Sequence, residues 1–205
     1  MWAVIQSSGW TIWPIVLSSV VALALVLERF WFLKKDKVLS PDLINRIRAE
    51  VERGGGVTGE LVQRVAEEGM LGHVLASGLR YVRAPREVMK ESIESSGRMV
   101  AHELERFLPT LATIASMAPL LGLLGTVFGM IDIFGAQSGA SSNPQQLAHG
   151  IALALYNTAA GLIVAIPTLI FYRYFRSKVD GMIMEMERQA LQLVELVHHQ
   201  STLVE

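Results

Sequence analysis

Two threonines lie inside stretches of the sequence that are otherwise almost entirely apolar. Thr126 interrupts the run from Leu108 to Phe134, and Thr158, preceded by Asn157, interrupts the run from Leu147 to Phe171. Hydroxyl and amide groups at such positions could line a water-filled proton path without imposing a fixed charge on it. We therefore treat Thr126, Thr158 and Asn157 as candidate pore-lining residues of a proton pathway.

Each threonine shares a helix face with small residues. Stepping 100° per residue places Ala115, Pro119, Gly122 and Gly129 with Thr126, and Ile151, Ala154, Leu162 and Ala165 with Thr158, with Gly161 at the edge of the second face. Two interpretations of these faces stay open. Small residues allow helix backbones to pack closely in lipid, or the two faces form a smooth bearing wall of a shared cavity in which something turns or slides.

Asp132 is the only formal charge between Arg106 and Arg173. An acid within a membrane helix is a functional candidate by default. However, Asp132 lies near the end of its apolar run and about 120° around the helix from Thr126. We expect an interfacial aspartate close to His149, and keep Asp132 as a possible intramembrane acid.

The apolar runs predict three membrane-spanning helices, because each can supply the roughly 20 helical residues that a hydrocarbon core requires. We place them at 10–33, 107–135 and 147–172. No Lys or Arg precedes Arg29, and none lies between Arg106 and Arg173. Since basic residues mark the cytoplasmic flanks, segments 1–9 and 136–146 lie outside, whereas 34–106 and 173–205 lie inside.

The two inner segments read as helical. The sequence from Arg86 continues without an obvious break towards the second membrane helix, which predicts one long helix that protrudes into the cytoplasm. The tail after Tyr172 keeps apolar residues at spacings of three and four, which predicts an amphipathic continuation of the third membrane helix. The sequence therefore predicts an all-α integral membrane protein with long cytoplasmic helical extensions.

Composition excludes several other classes of protein. The net charge of −1 argues against nucleic-acid binding, and the absence of cysteine excludes disulfides and thiolate metal sites. HELER at His102 lacks the second histidine that a zinc-binding helix needs four residues later. We predict no metal, no cofactor and no enzymatic activity.

Two longer motifs resemble the MotA/TolQ/ExbB proton-channel family, and within it the ExbB and TolQ branch. They are LPTLATIASMAPLLGLLGTVFGMIDIF from Leu108 and GIALALYNTAAGLIVAIPTLIFYRYF from Gly150. The amino-terminal GWTIWPIVLSSVVALALVLERF is similar to that branch too, and the tail and RFLPTLA are nearer to ExbB than to TolQ.

The resemblance implies a ring-shaped homo-pentamer in a bacterial inner membrane, around the helices of an ExbD-like or TolR-like dimer. Segments 1–9 and 136–146 would then be periplasmic. Proton flow would protonate an aspartate of the partner, and the motion would reach a TonB-like or TolA-like protein that spans the periplasm and energises outer-membrane transport or envelope maintenance. Thr126 and Thr158 match the family's pore threonines.

Leu153 is the main departure from the family pattern. Members of this branch usually read GIAEAL, with a glutamate in the third helix, whereas this sequence reads GIALAL. Three explanations stay open: the partner's aspartate suffices, Asp132 replaces the missing acid, or the chain conducts poorly. The last would make it a non-conducting scaffold for the partner's helix. We favour the first, with Asn157 supplying polarity one turn from Leu153.

Overall fold

The structure is a computed structural model that describes residues 10, 12–34, 38–40, 42–51, 53, 56–136 and 144–203. These residues are helical apart from short connections, which confirms the all-α prediction. Their helices are α1 (Ile12–Phe32), α2 (Leu43–Glu50), α3 (Gly59–Glu67), α4 (Gly69–Leu79), α5 (Arg86–Glu105), α6 (Leu108–Ala136) and α7 (Pro144–Leu203). The predicted outer segment 1–9 and most of 136–146 lie outside the described residues.

Among the residues that the structure describes, three helical segments are long and apolar enough to cross a membrane, as the sequence predicts. They lie in Ile12–Phe32, between Arg86 and Gly135, and in Leu147–His198. Helix α6 has 29 residues and is about 43 Å long, which exceeds the ~30 Å of a hydrocarbon core. Helix α7 has 60 residues and contains both the third span and the tail.

The chain forms two compact units. The membrane unit comprises Met1–Arg29 and Phe107–Tyr174, and the extension unit comprises Phe30–Arg106 and Phe175–Glu205. In the extension unit, α4 packs on α5 through Ser77 and Ser92, whose hydroxyls donate to each other's backbone carbonyls at 3.3 and 3.1 Å. The tail buries apolar residues at helical spacing, namely Phe175, Val179, Met182, Met186, Ala190, Leu193 and Val197.

The expectation of one unbroken helix from Arg86 into the second span is wrong. Helix α5 ends at Glu105 and α6 begins at Leu108, and between them Phe107 has a φ of 67°. Pro109 explains the break, because its ring clashes with the carbonyl four residues back and fits the first turn of a new helix. This proline is the signal that the sequence analysis passed over.

In the membrane unit, the side chain of a buried arginine, Arg29, contacts the ring of Phe107. Arg29 is only 1% exposed. Its guanidinium donates to the Glu28 carboxylate at 2.5 and 2.8 Å and lies 5.2 Å from the centre of the Phe107 ring. A left-handed conformation costs a residue with a Cβ about 1–2 kcal/mol, so the contact with Arg29 helps to fix a turn that is intrinsically unfavourable.

We expect Phe107→Leu to lower the free energy of unfolding by about 1 kcal/mol, because leucine removes the ring on which Arg29 stacks. Denaturation in mixed detergent micelles measures this loss. Phe134→Leu is the matched control, since Phe134 lies in α6, the helix that follows Phe107, and is 58% exposed. Equal stabilities of the two variants would contradict a stabilising role for the Arg29 contact.

Candidate functional site

The structure brings the two predicted threonines together between α6 and α7. The hydroxyls of Thr126 and Thr158 form a hydrogen bond in which either oxygen can be the donor. Both also lie near backbone carbonyls: Thr126 Oγ1 is 3.3 Å from the Ala154 oxygen, and Thr158 Oγ1 is 3.2 Å from the Gly122 oxygen. Residues 32 positions apart thus form one hydroxyl pair.

The hydroxyl pair can carry its hydrogens in two directions. Thr126 can donate to Thr158 while Thr158 donates to the Gly122 oxygen, or Thr158 can donate to Thr126 while Thr126 donates to the Ala154 oxygen. In each arrangement every hydroxyl hydrogen has an acceptor, because a hydroxyl supplies one donor and two acceptor lone pairs. Reversal therefore needs only rotation of the hydroxyls, which is the property that a proton relay requires.

Glycines set the close approach of α6 and α7 at this point. A Cβ on Gly122 would lie 2.8 Å from the Asn157 backbone oxygen, and a Cβ on Gly161 would lie 2.5 Å from the Ala118 backbone oxygen. A larger residue at either position would force the two backbones apart. These glycines therefore hold Thr126 and Thr158 within hydrogen-bond reach.

The other small residues of the predicted faces also lie largely in this helix contact. Ala115, Ala154 and Ala165 are buried, Gly129 lies against Ala154, and Pro119 is half-buried. In a single chain these residues pack two helices together, so they are not an exposed bearing surface. The face on α7 also differs from the predicted one: Gly161 lies inside the contact rather than at its edge, and Leu162 is 43% exposed.

The hydroxyl pair faces away from α1. Between α1 and α7 is a groove of about 570 Å³, which on α7 is lined by residues that include Tyr156, Ala160 and Ile163. Ala160 follows Thr158 by two residues, which places it about 160° away around the helix. Thr126 and Thr158 are both half-buried, so the pair lies at the edge of the α6–α7 contact on the side opposite α1.

Asn157 lies inside the α6–α7 contact, where it is only 3% exposed. A Cβ on Gly125 would be 2.8 Å from the Asn157 Cβ and 2.9 Å from its Nδ2. Gly125 therefore makes room for the amide, a role that the sequence analysis missed although the spacing of Gly122, Gly125 and Gly129 was its signal. The structure places Asn157 in the packing of the helices and not on an exposed wall.

The two remaining candidate positions lie apart from the hydroxyl pair. Leu153 is half-buried and precedes Thr158 by five residues, about 140° around α7. Asp132 and His149 are both exposed. Within the described residues, no hydrogen bond or ion pair joins Asp132 to His149.

Comparison with known proteins identifies the family. Residues 66–188 match the MotA/TolQ/ExbB proton channel family. An ExbB homolog of Methanothermobacter thermautotrophicus is 28% identical over 89% of this chain and 65% of its own length. The biopolymer transport protein ExbB of Aquifex aeolicus is 34% identical over 62% of this chain and 91% of its own. The Tol-Pal system protein TolQ of Haemophilus influenzae is 34% identical over 58% of this chain and 54% of its own.

The family match covers the hydroxyl pair and the glycines that hold it, together with all of α6 and most of α7. The chain spans only about two thirds of the length of the Methanothermobacter relative. Three helices that can cross a membrane, the extended family match and the relatives named ExbB and TolQ lead to one conclusion. The chain is a membrane protein of the MotA/TolQ/ExbB proton channel family.

Proposed function

We propose that this chain is the channel-forming subunit of a proton-driven motor in a bacterial inner membrane. Five copies form a ring around the membrane helices of an ExbD-like or TolR-like dimer, and the proton motive force drives the motion of one part within the other. The reversible hydroxyl pair of Thr126 and Thr158 carries this proposal, since it can pass a proton along the wall of a pore without bearing a charge itself.

In the proposed ring, the surface of α6 and α7 that lies opposite α1 forms the pore wall and faces the partner's helices. It has the half-buried hydroxyl pair at its centre, and the exposed part of α7 beside the pair is aliphatic, with Leu155 at 58% and Leu162 at 43%. Aliphatic side chains offer a neighbouring helix no fixed hydrogen bond. This exposed surface, and not the buried glycine contact, is the bearing surface of the motor.

The titrating group belongs to the partner. Threonine hydroxyls and Leu153 do not ionise at neutral pH, and Asn157 is an amide buried against Gly125. Asp132 is exposed and lies six residues beyond Thr126, about 9 Å along α6 and 120° around it. An aspartate on the partner's helix, moving past the hydroxyl pair, supplies the charge that this wall lacks.

Proton flux into proteoliposomes tests the proposal. This chain and its ExbD-like partner are reconstituted together, and flux is followed under an imposed voltage and pH gradient. We expect flux in the native complex, and its loss when the partner's membrane aspartate is changed to asparagine. A complex that conducts equally well with the asparagine would overturn the assignment of the titrating group.

We expect Leu153→Glu to leave proton flux within about twofold of the native value, because position 153 lies about 140° from Thr158 around α7. Leu153→Gln is the matched neutral control, and both variants are measured in the same proteoliposomes. Flux that is absent from the native complex and present only with Leu153→Glu would mean that this chain is a non-conducting scaffold, the reading that the missing glutamate favours.

The periplasmic partner determines which task the motor performs. The ExbB relatives favour the energising of TonB-dependent outer-membrane transport through a TonB-like protein. The TolQ relative favours envelope maintenance through a TolA-like protein. Co-purification of the native complex with one or the other distinguishes these two roles.

A further inference from the structure

The exposed face of α6 changes character along its length. Towards the Asp132 end it is aliphatic or aromatic, with Leu120, Leu123, Leu124, Val127, Ile131 and Phe134 between 43% and 63% exposed. Towards the Arg106 end the exposed residues include Thr110, Thr113 and Ser116. Thr113, Ser116, Leu120 and Val127 lie within about 60° of one another around the helix, so one face is polar in one part and aliphatic in the other.

Most of this polar part lies at membrane depth. The exposed carboxylate of Asp132 marks the outer boundary of the hydrocarbon core, because a charge inside that core is costly. About 20 helical residues cross the core, and counting back from Ile131 reaches Ala112. Thr113 and Ser116 therefore lie inside the inner half of the core, at a level where lipid would leave their hydroxyls without solvent.

The hydroxyls use their hydrogens within the helix and leave acceptors on the exposed face. Thr113 Oγ1 donates to the Pro109 oxygen at 2.9 Å, and Ser116 Oγ donates to the Thr113 oxygen at 2.9 Å. Each hydroxyl oxygen keeps lone pairs that water can bond.

We propose that Thr110, Thr113 and Ser116, the hydroxyl row, line a water-filled vestibule that opens at the cytoplasmic side and ends at Leu120. From Leu120 onward the aliphatic residues of the same face exclude water. This inference rests on the function proposed above, in which the vestibule receives the ion on its way to the cytoplasm. Between the vestibule and the hydroxyl pair, the route would have to pass from Ser116 to Thr126, which lies about 15 Å along α6 and 80° around it.

The absence of native cysteine makes labelling a direct test. Thr113→Cys, Ser116→Cys, Leu123→Cys and Ile170→Cys are each made in the full complex, and a membrane-impermeant maleimide is added from the cytoplasmic side. Ile170 is the matched control for depth, because it is 61% exposed and lies about 18 Å along α7 from Thr158. The first two thiols test the vestibule, and the Leu123 thiol tests where it ends.

We expect the Thr113 and Ser116 variants to react at least about tenfold faster than the Leu123 and Ile170 variants, because a thiol reacts as its thiolate and hydrocarbon disfavours that charge. If Thr113→Cys and Ser116→Cys were both labelled as slowly as Ile170→Cys, the proposal would be overturned. Fast labelling of Leu123→Cys would show that the vestibule does not end at Leu120. Fast labelling in a complex that shows no proton flux would refute the proposed function and leave the vestibule standing.

Discussion

Proton flux falls by about ten- to hundredfold when Thr126→Val and Thr158→Val are combined. Valine keeps the shape of threonine and removes both hydroxyls of the reversible pair. The Gly122 and Ala154 carbonyls that accepted from the pair are still bonded within their helices, so the fold persists. Without the hydroxyl pair, a passing proton loses a hydrogen-bonding partner, which costs about 1–3 kcal/mol. A barrier that is higher by this amount is crossed about tenfold to hundredfold more slowly.

The same proteoliposome assay includes two controls for this double variant. Thr168→Val removes a buried hydroxyl of the same helix whose bond at 2.7 Å goes to the Val164 carbonyl, and we expect native flux from it. Thr158→Ser keeps the hydroxyl and is expected to conduct close to the native rate. A Thr168→Val complex as impaired as the double variant would show that loss of packing, and not loss of the pair, explains the effect.

The membrane-spanning helices and their polar residues could be predicted from the sequence, because a hydrocarbon core requires helices that are long and apolar. Apolar runs of sufficient length predicted α1, α6 and the membrane part of α7, and a helix of fixed period then placed Thr126 and Thr158 on faces of small residues. Two such faces that each carry one hydroxyl were sufficient to single out the candidate site. Local composition and period determine these features, and both can be read from one sequence.

The residues that each side chain contacts on a neighbouring helix could not be predicted from the sequence in the same way. Gly161 was expected at the edge of a face, yet the structure puts it in the helix contact, because the line of closest approach depends on both helices at once. Asn157 was expected on the pore wall and lies instead against Gly125. The hydropathy pattern of one helix does not report the rotation of its neighbour.

The break at Phe107 was missed for a different reason. Helix-forming residues continue through Glu105 and Leu108, and only Pro109 and a left-handed φ at Phe107 separate the two helices. An aromatic residue with positive φ is unfavourable in isolation, so local propensity argues against it. The buried Arg29 supplies a compensating contact from another helix, which lies 78 residues away in the chain.

Gly161→Ala is expected to destabilise the membrane unit by about 1–3 kcal/mol, the usual cost of overpacking a close contact. The new Cβ would be 2.5 Å from the Ala118 oxygen and 3.2 Å from the Gly122 Cα. Both are backbone atoms that cannot rotate away, so α6 and α7 must separate. Unfolding in mixed detergent micelles measures the loss of stability.

Gly181→Ala is the matched control, because it lies on the same helix and its Cβ would have no neighbour within 4 Å. We expect that variant to be at least as stable as the native chain, since alanine is the better helix former. Equal stabilities of the two variants would contradict the close contact. Separation of the helices also pulls the two hydroxyls beyond bonding distance, so Gly161→Ala should lose proton flux together with stability, whereas Thr158→Val should lose flux alone.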